Sequence, residues 1–179
     1  MRFHLGLLTA GLFAGQLLAA PLALAQCARP AEHASLDIAS LKSNLMVVAL
    51  NCGAQDRYNA FIKRFQPELS AQERALGGYF SRTHGRNSRK QQDDYVTQLA
   101  NNRSQDGSRQ GSLFCSRNLP TFDEVMALRN SSELAEYAAG KSLGQPINVA
   151  ACGAGSTPAA TATRASTAHN TKATRAHRG

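Results

Sequence analysis

The chain has 179 residues and a formal net charge of +8 at pH 7, and it contains no Trp. The length allows one domain of ordinary size after an N-terminal leader is set aside. The lack of Trp argues against a binding site in which neutral sugar rings stack on large aromatic side chains. The lack of any nucleic-acid-binding motif argues against nucleic acid as a partner, despite the positive charge.

Residues 1–25 have the organisation of a secretory signal peptide. Arg2 supplies a positive charge, residues 5–20 form an apolar run, and small residues end the segment at Ala25. We therefore expect cleavage before Gln26 and a mature chain that is periplasmic or secreted, where cysteines can oxidise.

Two membrane-bound alternatives fit the same residues less well. A transmembrane anchor needs about 20 uninterrupted apolar residues, whereas Gly15, Gln16 and Pro21 interrupt this run and no second one follows. A lipid anchor on Cys27 requires a small preceding residue, and Gln26 is not small. We therefore expect no transmembrane segment after cleavage.

Helical periodicity dominates the first half of the mature chain. Apolar residues recur at helical spacing over 35–52, with Ser35 as the predicted N-cap and Gly53 as the terminator. Residues 45–50 are apolar on all sides, which is typical of a helix that is buried on most of its surface. This helix is therefore the predicted central element.

The next two predicted helices lie between residues 56 and 80. Over 56–65, apolar side chains share one face: Tyr58, Phe61, Ile62 and Phe65. After Pro67, the capping-box residues 70–73 predict the start of a third helix. This helix contains Gly77 and Gly78, each of which costs about 1 kcal/mol relative to Ala. A kink or close helix packing is the expected reason.

The later elements are shorter. In order, they are a helix over 89–101, a surface loop over 102–111, a return to the core at 113–115, a capping box at 121–124, a short helix over 132–139 and an extended segment over 145–152. No alternating strand pairs with that last segment. The predicted fold is therefore all-α, a small disulfide-stapled bundle of about five helices.

Four cysteines occur in the mature chain, and none forms a CxxC pair: Cys27, Cys52, Cys115 and Cys152. An even number without that motif predicts two structural disulfides and argues against a redox motif or a zinc ribbon. Three pairings are possible. We favour the nested one, with Cys27–Cys152 outside Cys52–Cys115, because the outer bridge would close the domain at its two ends.

The positive charge is distributed unevenly between two predicted regions. The helical domain, residues 26–153, contains 15 Lys or Arg and 12 Asp or Glu. Residues 154–179 contain four Lys or Arg, no acid and no Leu, Ile, Val or aromatic residue, so nothing there offsets the entropy of ordering the segment. We predict a disordered Ala/Thr/Arg-rich tail that either solubilises the domain or tethers it to anionic envelope polymers.

A basic cluster is the surface feature with a functional interpretation. Its members are Arg82, His84, Arg86, Arg89 and Lys90. Cations at a helix N-terminus oppose the helix dipole, so local stability does not explain Arg86 and Arg89. A site for phosphate, an acidic polysaccharide or a partner's carboxylates would explain them. The alternative is an ordinary charged loop.

Catalytic and metal-binding motifs are absent from the sequence. The mature histidines are isolated from one another, whereas a structural zinc site needs about four preorganised ligands. We therefore expect neither a metal nor a cofactor. Four acids are candidate general acids for a hydrolase: Glu68, Glu73, Asp93 and Asp94. The last two are equally explained as ion-pair partners of Arg89 and Lys90 at i,i+4.

Two stretches, 45–61 (LMVVALNCGAQDRYNAF) and 93–101 (DDYVTQLAN), resemble uncharacterised small secreted cysteine-containing helical proteins of alphaproteobacteria. The resemblance implies a helical exported domain, and it brings no activity, substrate or catalytic residue.

Together these features predict a non-enzymatic periplasmic or secreted domain that binds an anionic envelope component or a protein partner. Two alternatives remain. One is a cell-wall-acting hydrolase that uses a Glu or Asp general acid. The other is a structural or inhibitory module, which would expose an apolar patch.

Overall fold

The structure, a computed structural model, describes residues 26–141 and 143–153. Its α-helices are α1 Pro30–Cys52, α2 Gln55–Arg64, α3 Gln66–His84, α4 Ser88–Gln110, α5 Leu113–Asn118, α6 Pro120–Ala127 and α7 Ser131–Gly140. Five of these helices have ten residues or more. The all-α prediction is confirmed. The predicted signal peptide and tail lie outside the described residues.

Helix α1 is the central element, as predicted. It packs against α2, α3, α4, α5 and α7, and Leu41, Leu45 and Val48 are completely buried. Leu50 departs from the predicted burial of residues 45–50, because 64% of its surface is exposed. Gly53 ends the helix with a φ of 66°, and its N–H donates to the carbonyl of Ala49.

Two hydrophobic clusters lie along α1. The first surrounds its C-terminal half and is built around four phenylalanines from α2, the α2–α3 junction, α5 and α6, namely Phe61, Phe65, Phe114 and Phe122. The second surrounds its N-terminal half and joins it to α3 and α4 through Leu76, Tyr79, Phe80, Tyr95 and Leu99. None of the helices in the described ranges combines the length and apolarity needed to cross a membrane.

Three predicted helix starts are wrong for one shared reason. The residues expected to cap helices lie inside them: Ser35, Ser70 and Thr121. In each case a proline occupies the first helical turn: Pro30, Pro67 and Pro120. Proline suits this position because its missing N–H is not needed there and its fixed φ matches the helix. The prolines therefore mark the starts that the Ser and Thr signals misplaced.

The predicted surface loop over 102–111 is also wrong, because α4 continues to Gln110. Side-chain contacts support this polar extension. Asp106 pairs with Arg109, and its carboxylate lies 3.6 Å from Arg103 Nη1. The Arg103 guanidinium also packs over the ring of Phe114, 5.2 Å from the ring centroid. The polar C-terminal part of α4 is therefore stabilised by ion pairs within its last turns and by the contact of Arg103 with α5.

The ends of the described chain meet. Disulfides join Cys27 to Cys152 and Cys52 to Cys115, which is the nested pairing favoured above. Ala28 forms an isolated parallel bridge with Ala151. Its N–H donates to the carbonyl of Ala150 at 2.8 Å, and its carbonyl accepts from the N–H of Cys152 at 2.8 Å. The extended segment over 145–152 therefore pairs with the residue beside the first cysteine.

Candidate functional site

Arg82, the first member of the basic cluster, is bound within the fold. Its Nε donates to Glu32 Oε1 at 3.1 Å, and its Nη2 donates to the carbonyl of Cys27 at 2.7 Å and to Glu32 Oε2 at 2.5 Å. The backbone N–H of Arg29 also donates to Glu32 at 2.8 Å. Arg82 therefore ties the C-terminal end of α3 to the start of α1 and to the outer disulfide.

Glu32 is ionised by this arrangement in spite of its burial. Only 8% of its surface is exposed, and burial alone would raise its pKa. Hydrogen bonds from Arg82 and from the Arg29 N–H, together with the charges of both arginines, outweigh burial and hold the Glu32 pKa below its ordinary value. The buried charge is therefore compensated on both of its oxygens.

The other cluster members form a solvent-exposed surface, the α4 N-terminal basic surface, which consists of His84, Arg86, Arg89 and Lys90. The His84 ring stacks on Phe80, with 5.7 Å between the ring centroids. Lys90 Nζ lies 2.5 Å from Asp94 Oδ2. Within the described part of the chain, no carboxylate pairs with Arg86 or Arg89.

Local structure at this surface provides no acidic side chain that compensates the two arginines. Arg86 lies in a single 3₁₀ turn, Gly85–Asn87, and Arg89 lies in the first turn of α4. That turn contains no acidic residue, and the Asn87 side chain makes no capping hydrogen bond. Arg89 therefore stands at the positive end of the α4 dipole, whereas Arg86 lies between that end and the negative end of the α3 dipole at His84.

The four candidate acids do not meet at the groove between α1 and α3. Glu73 lines a cavity between α1 and α3, whereas Glu68, Asp93 and Asp94 do not line it. Glu73 also pairs with Lys42 Nζ at 3.2 Å, and Asp94 pairs with Lys90. Glycoside hydrolysis in most families needs two convergent carboxylates. The arrangement at this cavity offers one, and it is already paired.

This cavity, called here the α1–α3 cavity, has a volume of about 220 Å³. Along α1 its wall carries Ser35, Ala39 and Ser43, and along α3 it carries Leu69, Gln72 and Leu76. It lies where the two hydrophobic clusters meet, since Leu69 belongs to the first cluster and Leu76 to the second. Tyr58 of α2 and Val96 of α4 complete the lining with Ile38, Lys42, Met46 and Glu73.

Two polar atoms in this lining are buried without a hydrogen-bond partner among the described residues, Ser43 Oγ and Gln72 Oε1. Burial also raises the pKa of Tyr58, and the charge of Glu73 adds to that effect. Sequence reasoning missed this site. The available signal was the spacing of small residues on α1, Ser35, Ala39 and Ser43, at every fourth position, which leaves room beside one helix face.

Among the described residues, no three His, Cys, Asp or Glu side chains are grouped so that they could hold a metal ion. No family model, no curated protein and no solved structure matches the chain.

Proposed function

We propose that this protein is a non-enzymatic, periplasmic or secreted helical domain that binds an anionic envelope component through the α4 N-terminal basic surface. The observation that carries the proposal is the exposure of Arg86 and Arg89 without a paired carboxylate in the described chain, with Arg89 at a helix N-terminus whose dipole disfavours positive charge. An anionic ligand would supply that compensation, because guanidinium groups bind phosphate and carboxylate oxygens in pairs.

The export part of the proposal is supported by two features. Residues 1–25 have the pattern of a signal peptide, and all four cysteines of the described chain are disulfide-bonded. Disulfides of this kind persist in oxidising compartments and are rare in the cytosol. The basic tail over 154–179 would add a second, non-specific attraction to the same envelope polymers.

Arg82 has a supporting role in this proposal and makes no ligand contact. Its guanidinium is bound to Glu32 and to the Cys27 carbonyl, so it fixes the end of α3 from which the basic surface continues. The contacts are assigned to Arg86 and Arg89, with Lys90 and His84 at their edge. Exposed charge contacts are screened by salt, so the binding should weaken as ionic strength rises.

A salt series on an immobilised acidic polysaccharide tests this assignment. The mature chain is compared with two double variants that lose the same charge, Arg86→Gln/Arg89→Gln and Arg74→Gln/Arg117→Gln. Arg74 and Arg117 are also exposed and have no partner in the described chain, but they lie apart on α3 and α5. We expect the first variant to elute at lower salt than the second.

Equal elution of the two double variants would contradict the proposed surface, because it would show that only net charge matters. A chain that ends at residue 153 separates the contribution of the tail. If the difference between the variants persists without the tail, the folded surface is the binding site. If binding disappears with the tail and the variants are alike before truncation, the tail alone is responsible.

A further inference from the structure

The structure fixes the main chain directly after Gln26 and leaves Gln26 itself exposed. Cys27 is bridged to Cys152, and the next residue, Ala28, is fully buried. The Tyr79 hydroxyl donates to the Gln26 carbonyl at 3.5 Å, whereas Gln26 as a whole is exposed to solvent. A chain that begins at Gln26 therefore starts at an accessible residue on a fixed end of the fold.

The outer disulfide also bears on where a processed chain can begin. The leader pattern allows cleavage before Gln26, or processing before Cys27 with a lipid attached to the cysteine sulfur. The second route needs a free Cys27 thiol, whereas Cys27 is bonded to Cys152 and no cysteine of the described chain is free. Under the proposed export, Gln26 is therefore the expected first residue of the mature chain.

The surroundings of this chain end disfavour a positive charge on the α-amine of Gln26. The residue lies just before α1, whose N-terminus is the positive end of the helix dipole. Arg29 also precedes α1, and the Arg82 guanidinium donates to the Cys27 carbonyl at 2.7 Å. Glu32 is already hydrogen-bonded by Arg82 and by the Arg29 N–H. Nearby positive charges favour the neutral form of an amine, which is its nucleophilic form.

A neutral α-amine on a glutamine can react within its own residue. The amine nitrogen attacks Cδ of the side-chain amide and forms a five-membered lactam. The Cδ–Nε2 bond breaks, the attacking nitrogen gives up one proton, and Nε2 leaves as ammonia. The step needs no oxidant, reductant or cofactor, and the two reacting groups are held close together by the residue itself.

We infer that Gln26 is a modification site, at which the mature chain begins with a pyroglutamyl residue that replaces the charged α-amine. The inference rests on the exported state in the proposed function and is independent of its anionic ligand. The lactam removes the terminal charge beside α1. It also leaves no α-amine for an aminopeptidase to bind, so the exported domain would resist degradation from this end.

Labelling of primary amines in the exported protein tests the inference. The protein is purified at neutral pH, its amines are dimethylated, and it is then reduced, digested with trypsin and analysed by mass spectrometry. Trypsin should release residues 26–57 as one peptide, because Pro30 blocks cleavage after Arg29 and dimethylated Lys42 is not cut. We expect this peptide to carry no label at its N-terminus and to be lighter by one ammonia than the encoded peptide.

A variant and an added peptide control this measurement. Gln26→Asn keeps an amide at the same exposed position, but ring closure would require a strained four-membered ring. This variant should therefore retain a labelled α-amine and lose no ammonia. A synthetic peptide with an N-terminal glutamine, added before labelling, should remain mostly labelled, which shows that the lactam did not form during handling.

The inference is overturned if the peptide carries a labelled α-amine on Gln26, a result that leaves the proposed export intact. It is also overturned if the protein retains residues 1–25 or begins at another residue, and the proposed cleavage then fails with it. An unlabelled N-terminus lighter by one ammonia in the Gln26→Asn variant would likewise contradict it, because the loss would not depend on ring closure at Gln26.

Discussion

At the scale of single residues, the Glu32–Arg82 pair shows how a charge assigned to function by sequence can belong to the fold. Both groups come from helix ends that are 50 positions apart in the chain. Their side chains are only 10% and 23% exposed, so each compensates a charge that the other would otherwise leave unpaired and partly buried inside the protein. The Cys27 carbonyl completes the arrangement beside the outer disulfide.

Glu32→Gln is expected to lower the free energy of unfolding by about 2 kcal/mol, because Arg82 would keep its partly buried charge without a carboxylate. Glu73→Gln is the matched control. Its carboxylate is 61% exposed and pairs with Lys42 at the surface, so its loss should cost less than about 1 kcal/mol. Urea unfolding measures the free energy of unfolding of both variants. Equal losses in the two would contradict the prediction, because the buried pair would then contribute no more than the surface pair.

The same pair should make stability depend on acid. The pKa of Glu32 is lower in the folded chain than its ordinary value of 4.5. Its contribution is therefore fully present above that value and is lost as the pH falls through the lowered folded-state pKa. We expect the stability difference between the unmodified chain and Glu32→Gln to shrink as the pH falls below 4.5. A difference that is independent of pH in this range would contradict the assignment.

At the scale of elements, helix α3 contains two neighbouring glycines, Gly77 and Gly78, that have different surroundings. The helix runs without a break from Gln66 to His84. A side chain at Gly77 would lie 3.5 Å from Gln92 Oε1 of α4, whereas one at Gly78 would meet nothing within 4 Å. The contact at Gly77 is at an ordinary van der Waals distance, so close packing requires glycine at neither position, and Gly78 faces solvent.

Gly78→Ala is expected to stabilise the protein by about 1 kcal/mol, because alanine loses less conformational entropy than glycine when a helix forms. Thermal unfolding followed by circular dichroism measures the change. Gly53→Ala is the opposite control. Gly53 has a φ of 66° at the end of α1, a conformation that costs energy for any residue with a side chain, so this variant should unfold at a lower temperature. A lower midpoint for Gly78→Ala would contradict the prediction.

At the scale of the whole molecule, the two disulfides hold different parts of the bundle. The inner bridge joins the end of α1 to α5 across 63 positions, and the outer bridge spans 125 positions. The outer bridge anchors a segment without helix, residues 143–153, whose Ile147 and Val149 pack against the second hydrophobic cluster. Loss of the outer bridge should therefore destabilise the two ends of the described chain first.

Cys27→Ala/Cys152→Ala is expected to lower the free energy of unfolding by up to about 4 kcal/mol, since the unfolded chain regains loop entropy. Hydrogen exchange should localise the effect. The N–H groups of residues 28 and 152, which bond across the chain ends, should lose more protection than the global free energy of unfolding falls, while those in the buried part of α1 should lose no more than that global decrease. Cys52→Ala/Cys115→Ala should leave residues 28 and 152 protected. The reverse pattern would contradict this division.

The amino-acid sequence by itself determined the helical class, the central position and C-terminal end of α1, and the extent of α2 to within one residue at each end. The signals were the apolar residues over 45–50 and the apolar stripe at Tyr58, Phe61 and Phe65. Burying such a surface favours the helix and also fixes which of its faces points to the core. Helix starts were misplaced where a Ser or Thr signal competed with a proline. The continuation of α4 beyond Asn101 was missed because polar helices are held by partners that periodicity does not reveal.

The tertiary structure decided what the basic residues and the small residues do. Arg82 and Arg86 look alike in the sequence, yet one is bound to a carboxylate 50 positions away and the other is exposed. Likewise, Ser35 and Ser43 belong to one i,i+4 row on α1, but Ser35 donates to the carbonyl of Glu32 and Ser43 Oγ has no partner in the described chain. Charge compensation and cavities depend on contacts between distant segments, which local sequence patterns do not encode.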